Sequence, residues 1–369
     1  MTASTHNAVD NVLERFAEMN RKERILGEQQ ILRVATDVSK VNQTLTSFTI
    51  DARVGGDMNE NNKLFKKAQE RLKAAVIVFT TCTGAGLGIL RKADFDIALI
   101  DEASQITEPC ALIPLVKGTR QAILVGDHVQ LRPTVKKMGK TLEFDVSMLE
   151  RLYTGEDTSG MIKTMLDIQY RFPAELADFP SREFYESRLR TGISNSADVL
   201  RILSRCKFPW PRQAKGNAVI PTVFISCAAE EDMGGMSKSN LGQVDIVKRI
   251  LPMLELEKSG DETEQQTLSI TVLSPYSKQV LALRRIIPQS FTIDSFQGRE
   301  SDIIIFSSVR SNIEKDIGFV DDARRLNVMW TRARLALIII GDRATMAENA
   351  LWKRALDACT EVALPDVEG

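Results

Sequence analysis

The chain has 369 residues, 43% hydrophobic and 26% charged, with a formal net charge of −1, the profile of a globular protein long enough for two ordinary domains. That balance excludes capture of nucleic acid by overall charge, so any such binding has to use local basic or polar clusters. Five scattered cysteines with no CxxC pair, and histidine only at His6 and His128, argue against a disulfide framework or a structural zinc site.

No signal peptide or membrane-length apolar run is present, so an intracellular product is expected, with nucleus and cytoplasm both open. The elements follow in chain order. Residues 35–62 are polar, with Gly55-Gly56 and Asn59 to Asn62, and read as a small elaboration before a helix at 63–74, where Leu64, Ala68 and Leu72 keep helical spacing. Ile97 to Ile100 runs into Asp101-Glu102, and Ala122 to Val125 runs into Gly126-Asp127. The turn-rich stretch Gly155 to Gly160 sets the expected boundary, giving domains at 1–160 and 161–369. Residues 228–242 and 257–267 read as exposed loops around a helix carrying Val244, Val247, Leu251 and Leu254. Ile270 to Leu273 then meets Ser274-Pro275, and Ile303 to Phe306 meets Ser307-Ser308. Runs apolar at every position suggest strands covered on both faces, as in parallel sheets, and their alternation with helices predicts an α/β fold. Ligands of such sheets sit beyond the carboxyl ends of the strands, where these polar residues fall.

Alone, an acidic pair after a strand is better explained by a solvated loop than by a Mg²⁺ site. The longer strings decide otherwise. Asp101-Glu102-Ala103-Ser104-Gln105 resembles helicase motif II, and Gly126-Asp127-His128-Val129-Gln130-Leu131-Arg132-Pro133 resembles motif III. Gln169-Tyr170-Arg171 resembles the segment opening a second RecA-like domain. Asp294-Ser295-Phe296-Gln297-Gly298-Arg299-Glu300 resembles motif V, and Arg324 to Val328 with Thr331-Arg332-Ala333 resembles motif VI. Near the start, Ser4 to Asp10 and Thr80 to Gly86 are similar to motifs Ia and Ib. In this order the strings resemble the Upf-like superfamily 1 helicases, with 35–74 falling where that group carries a small helical stalk.

The resemblance implies two RecA-like P-loop NTPase domains with parallel sheets, the first incomplete at its N-terminus, ATP and Mg²⁺ as cofactors, and single-stranded RNA or DNA as partner. It implies that Asp101 binds Mg²⁺, Glu102 polarises the hydrolytic water and Gln130 senses the γ-phosphate. Tyr170 stacks on adenine, Arg171 and Arg332 meet the γ-phosphate, Glu300 contacts the ribose, and Gly298 allows close backbone approach. Thr5, Asn7, Thr81, Thr83, Pro275, Tyr276 and Ser295 fall in segments that face the strand, although each polar one is equally explained as a local cap. Arg324 and Arg325 read as helix-surface charges, His128 as a loop histidine without a catalytic part, and Lys136, Lys137 and Lys140 as solvated.

No GxxxxGK[ST] string occurs in the sequence; Gly84-Ala85-Gly86-Leu87-Gly88 lacks the lysine. In the family that loop precedes motif Ia, so the chain is expected to be a truncated, monomeric helicase core, inactive as an ATPase alone and with an apolar sheet edge uncovered. Translocation would run 5′ to 3′. The alternatives are a non-catalytic nucleic-acid- or protein-binding module and a nucleotide-dependent switch.

Overall fold

The computed structural model describes residues 1–156, 160–194, 196–232, 234–235, 237–257 and 267–365. Parts of the expected break at 155–160 and of the loops at 228–242 and 257–267 lie outside the described residues. The chain divides into two compact units, Met1–Lys163 and Thr164–Gly369. Among the described residues no helix is long and apolar enough to cross a membrane.

The first unit is a parallel sheet in the order β2-β3-β1-β4-β5, built from β1 (Thr2–Ala3), β2 (Ile31–Arg33), β3 (Ile77–Thr81), β4 (Ile97–Ile100) and β5 (Gln121–Leu124). β1 is central, with Thr2 opposite both Thr80 and Ile100. α1 (His6–Glu23) follows at once because the Thr5 side chain accepts from Ala8 N, satisfying an amide that the first helical turn leaves unpaired. It buries Val9 and Leu13 with Ala3, Ile31 and Phe79.

The polar elaboration holds α2 (Ile50–Val54), closed by Gly55 at φ 90°, and α3 (Asn62–Ala74), capped by Asn61. Ile50, Val54, Met58 and Ala68 share one core with Leu32, Val34 and Val78. The segment that resembles a stalk is thus packed on its own sheet. α4 (Glu108–Leu115), α5 (Lys137–Thr141) and α6 (Met148–Thr154) complete the unit, with Met148, Leu149 and Ala111 meeting Ile100 and Ala103. The expectation of strands covered on both faces fails at β5. It is the edge strand, its first three residues are exposed, and Ile123 keeps 40% of its surface in solvent.

In the second unit a short parallel pair, β6 (Ile168–Gln169) and β7 (Arg190–Thr191), brackets α7 (Ala174–Phe184). α8 (Ser196–Leu200) precedes the main sheet, whose order is β10-β9-β11-β12-β8-β13, all parallel. Its strands are β8 (Thr222–Ser226), β9 (Ile270–Ser274), β10 (Ser290–Thr292), β11 (Ser301–Ser307), β12 (Ala333–Gly341) and β13 (Thr360–Glu361). Here every-position apolarity does mean two covered faces, since Ile303, Ile304, Ile305, Leu337, Ile338 and Ile339 are all buried. α9 (Leu241–Ile250), α10 (Ser277–Leu283), α11 (Ala323–Trp330), α12 (Arg343–Met346) and α13 (Ala350–Asp357) flank it. α9 is capped by Asn240, and the spacing read through Leu251 and Leu254 continues as a 3-10 turn.

Candidate functional site

In the first unit the carboxyl ends of β4 and β5 lie back to back. Ala103 N donates to Val125 O at 2.8 Å, and Val125 N to Ile100 O at 2.8 Å. Gly126 makes this approach possible, because a Cβ there would stand 2.9 Å from Ser104 N and 3.0 Å from Ala103 N. Asp101 and Glu102 therefore sit on a strand end braced by its neighbour. Burial holds the Asp101 carboxyl above its ordinary value, opposed by a backbone hydrogen bond from Glu102. Glu102 lies at φ 51°, in the left-handed region that a residue with a Cβ enters at a cost. Its Oε2 accepts from Gln105 Nε2 at 2.6 Å.

Gln130 is placed the same way. Its Nε2 donates to Asp127 Oδ2 at 2.7 Å, while Asp127 Oδ1 accepts from Val129 N and Ser104 Oγ lies 3.4 Å from Asp127 N. Gln105 and Asp127 thus orient the two side chains that the resemblance marks. Both lie inside the quoted strings, but nothing in the strings gives them that part. His128 packs its ring 4.5 Å from that of Tyr153.

Among the described residues no three His, Cys, Asp or Glu side chains gather to hold a metal by themselves. A lone, partly buried carboxylate suits a cation that takes most of its oxygens from phosphate and water, which is the usual habit of Mg²⁺.

In the second unit Tyr170, Arg171, Gly298, Glu300 and Arg332 are brought near the amino ends of β11 and β12. Arg171 donates from Nε to Glu300 Oε2 at 2.6 Å and from Nη1 to Thr331 O at 2.9 Å. Tyr170 is 74% exposed. Arg332 is the reverse, 3% exposed, with Nε 3.1 Å from Val328 O, Nη1 3.4 Å from Arg299 O and Nη2 3.3 Å from Thr331 Oγ1. A phosphate contact requires it to leave these acceptors. At Gly298 φ is 75°, a conformation that favours glycine, and a Cβ would meet no protein atom within 4 Å.

Arg325 is not the surface charge expected. Its guanidinium binds both Asp294 oxygens at 2.9 Å and Asp322 Oδ2 at 3.0 Å, tying the motif V turn to α11.

The residues expected to face a strand divide. Thr5 caps α1, Thr81 Oγ1 accepts from Gly84 N at 3.0 Å, and Ser295 bonds Thr292 O at 2.9 Å, so these hydroxyls have local work. Thr83 Oγ1 lies 3.7 Å from Cys110 Sγ, Asn7 is exposed, and Pro275 is half-buried. Tyr276 is 8% exposed, its hydroxyl bonded by Arg310 Nη1 and Phe319 N at 3.3 Å each, so its ring does not stand out as a stacking face.

The AAA domain family matches residues 144–344, and a second AAA domain profile matches residues 59–138. The chain is 36% identical over 308 residues to the regulator of nonsense transcripts 1 homolog of Drosophila melanogaster, covering 79% of this chain and 25% of that protein. It is 35% identical over 309 residues to the ATP-dependent helicase NAM7 of Saccharomyces cerevisiae, covering 80% and 30%. With the regulator of nonsense transcripts 1 homolog of Neurospora crassa it shares 33% over 386 residues, covering 96% and 34%. The chain therefore spans 25% to 34% of the length of these relatives. Among solved structures, the arterivirus nonstructural protein 10 helicase with DNA aligns with a TM-score of 0.43 and 12% identity, over 95% of this chain and 56% of that one.

Proposed function

This chain belongs to the Upf-like superfamily 1 helicases, and we propose that it forms most of the core of an ATP-dependent motor on single-stranded nucleic acid. The observation that carries the reading is the end of β4, where a half-desolvated Asp101 is followed by Glu102 at φ 51°. Strain at a polar strand end, kept by a brace of backbone bonds, is how a site holds reactive groups in place.

On this reading Asp101 takes the Mg²⁺ of a bound nucleotide, and Glu102, aimed by Gln105, orients a water. Gln130, aimed by Asp127, reports on the terminal phosphate. The second unit supplies Tyr170 for the base, Glu300 for the ribose, and Arg171 and Arg332 for phosphate charge. Mg-ATP, when bound, supplies the transferable phosphoryl group, and catalysis of that transfer is mainly positioning and neutralisation. Arg171 has to exchange Glu300 for phosphate, and Arg332 has to unfold from its carbonyl acceptors. RNA or DNA would follow the strand ends carrying Thr5, Asn7, Thr81 and Thr83 in one unit and Pro275, Tyr276 and Ser295 in the other, Tyr276 acting through position and not by stacking.

The chain by itself is proposed to hold ATP poorly, because no GxxxxGK[ST] string stands in its 369 residues to wrap the phosphates. Titration with a fluorescent ATP analogue and a steady-state phosphate-release assay, each with and without a single-stranded oligonucleotide, test both parts. Tight nucleotide binding with measurable turnover would refute the deficiency. Failure to bind any single strand, RNA or DNA, would sink the motor reading in favour of a protein-binding module.

A further inference from the structure

We infer that Gly192 is a positioning residue for Tyr170, its bare backbone being the bed on which the phenol ring lies. The inference rests on the reading of Tyr170 as the face for a planar base and extends it to the residue that keeps this face in place.

An aromatic ring left 74% in solvent would ordinarily sample several rotamers. This one is crowded on one side only. A Cβ at Gly192 would stand 2.2 Å from Tyr170 Cε1, 2.6 Å from Cδ1 and 2.9 Å from Cζ, distances no side chain tolerates. Gly192 is not among the glycines with positive φ, so its backbone would accept any L residue. Space, and not conformation, is what calls for glycine here.

The backbone around the ring is fixed. β6 and β7 pair Ile168 with Arg190 and Gln169 with Thr191, and the ladder continues in Gly192 N donating to Gln169 O at 2.7 Å. The Gln169 amide then folds over the loop. Its Oε1 accepts from Arg171 N at 2.8 Å and Phe172 N at 3.0 Å, and its Nε2 donates to Phe172 O at 2.6 Å. Thr191 Oγ1 adds a bond to the same carbonyl at 3.0 Å. With buried Phe172 as anchor, the rotamer is the freedom left to Tyr170, and the open surface of Gly192 selects it. A ring already in place loses less freedom when a base stacks on it.

The test uses the full chain labelled with 3-fluorotyrosine. Its four tyrosines give four fluorine resonances, and Tyr170→Phe assigns the one of interest. In Gly192→Ala, without ligand, that resonance is expected to move toward the position of free fluorotyrosine while the other three stay. AMP, used as the probe because it carries the base with little phosphate, is expected to shift the Tyr170 resonance in the native chain. The alanine variant should require about threefold to tenfold more AMP for the same shift. A Tyr170 resonance unchanged by Gly192→Ala overturns the inference. Displacement of the ring by alanine together with no AMP response in the native chain upholds it and overturns the adenine reading instead. If Gly192→Ala does not fold, adding Tyr170→Ala removes the clash and should restore folding; a double variant as unstable as the single one also overturns the inference.

Discussion

Arg171 and Glu300 are 129 residues apart in sequence and 2.6 Å apart in space, guanidinium Nε to carboxylate Oε2. Their side chains are 30% and 44% exposed, so water screens the pair and its loss leaves little uncompensated charge. An arginine held this lightly is restrained without being locked. A double-mutant cycle of Arg171→Ala and Glu300→Ala, read by chemical denaturation, should give a coupling of about 0.2–1 kcal/mol that shrinks in molar salt. A coupling above about 2 kcal/mol would mean that the pair is a structural lock.

Trp330 ends α11 with 1% of its surface exposed, its Nε1 donating to Leu176 O at 3.0 Å and its ring 4.3 Å from that of Phe179. The indole joins α11 to α7. Trp330→Ala should destabilise the second unit by about 3–5 kcal/mol, in the range for emptied aromatic sites. Urea unfolding followed at the remaining tryptophans would register it.

The Asp101 carboxyl sits above its ordinary value of 3.8 because burial disfavours its charge. The folded state thus binds that proton more tightly than the unfolded chain. This contribution favours the fold below about pH 3.8 and is lost as pH rises through the folded-state value. Asp101→Asn should therefore melt higher than the native chain at pH 7, with the gap closing below about pH 4. Thermal melts across that range measure the sign. An asparagine variant that melts lower at pH 7 would mean that neighbouring cations, and not burial, govern the group.

Glu102 holds φ at 51° with a Cβ in place. Glycine removes that cost, so Glu102→Gly should leave the first unit as stable or up to about 1 kcal/mol more stable, even after losing the bond to Gln105. Glu102→Val should be clearly worse, since a β-branched side chain fits the left-handed region poorly. Melting temperatures of the two variants separate strain from side-chain bonding.

Residues 161–369 are expected to fold alone. The core of Val223, Ile225, Val247, Val272, Ile303, Ile305, Ile338 and Ile340 is contained wholly within that stretch. A single cooperative unfolding transition for this segment is the expected result, and a broad, non-cooperative one would count against it.

Much of the fold was legible where composition alone sets structure. Ile303 to Phe306 had to be a covered strand because nothing in it tolerates water, and Asp101-Glu102 had to mark the end of β4 because a parallel strand stops where its polar residues begin. The longest strand, Ala333–Gly341, hides behind the motif VI string that runs into it. The site was legible as residue types and not as poses. A string such as Thr331-Arg332-Ala333 does not say whether a guanidinium points outward or folds onto Val328 O, since that depends on α11 and the Arg299 carbonyl. Tyr276 is hidden for the same kind of reason, because Arg310 and Phe319 reach its hydroxyl from elsewhere in the chain. Gly192 carried no signal at all; only the ring beside it explains the missing side chain.

Three loops at the carboxyl side of the second sheet share a single set of buried amides. Asn240 reaches Ala229 O at 2.6 Å and Val309 O at 3.1 Å. Gln279 receives Asn240 N at 2.9 Å and gives to Ser307 Oγ at 2.9 Å, and Gln243 Oε1 accepts from Ser307 Oγ at 2.8 Å and Val309 N at 2.9 Å. Breaking any member strands its neighbours away from water, each at roughly 1–3 kcal/mol. The ends of β8, β9 and β11 are consequently geared together like the fingers of a mitten: a ligand tugging on one cannot do so without recruiting the other two.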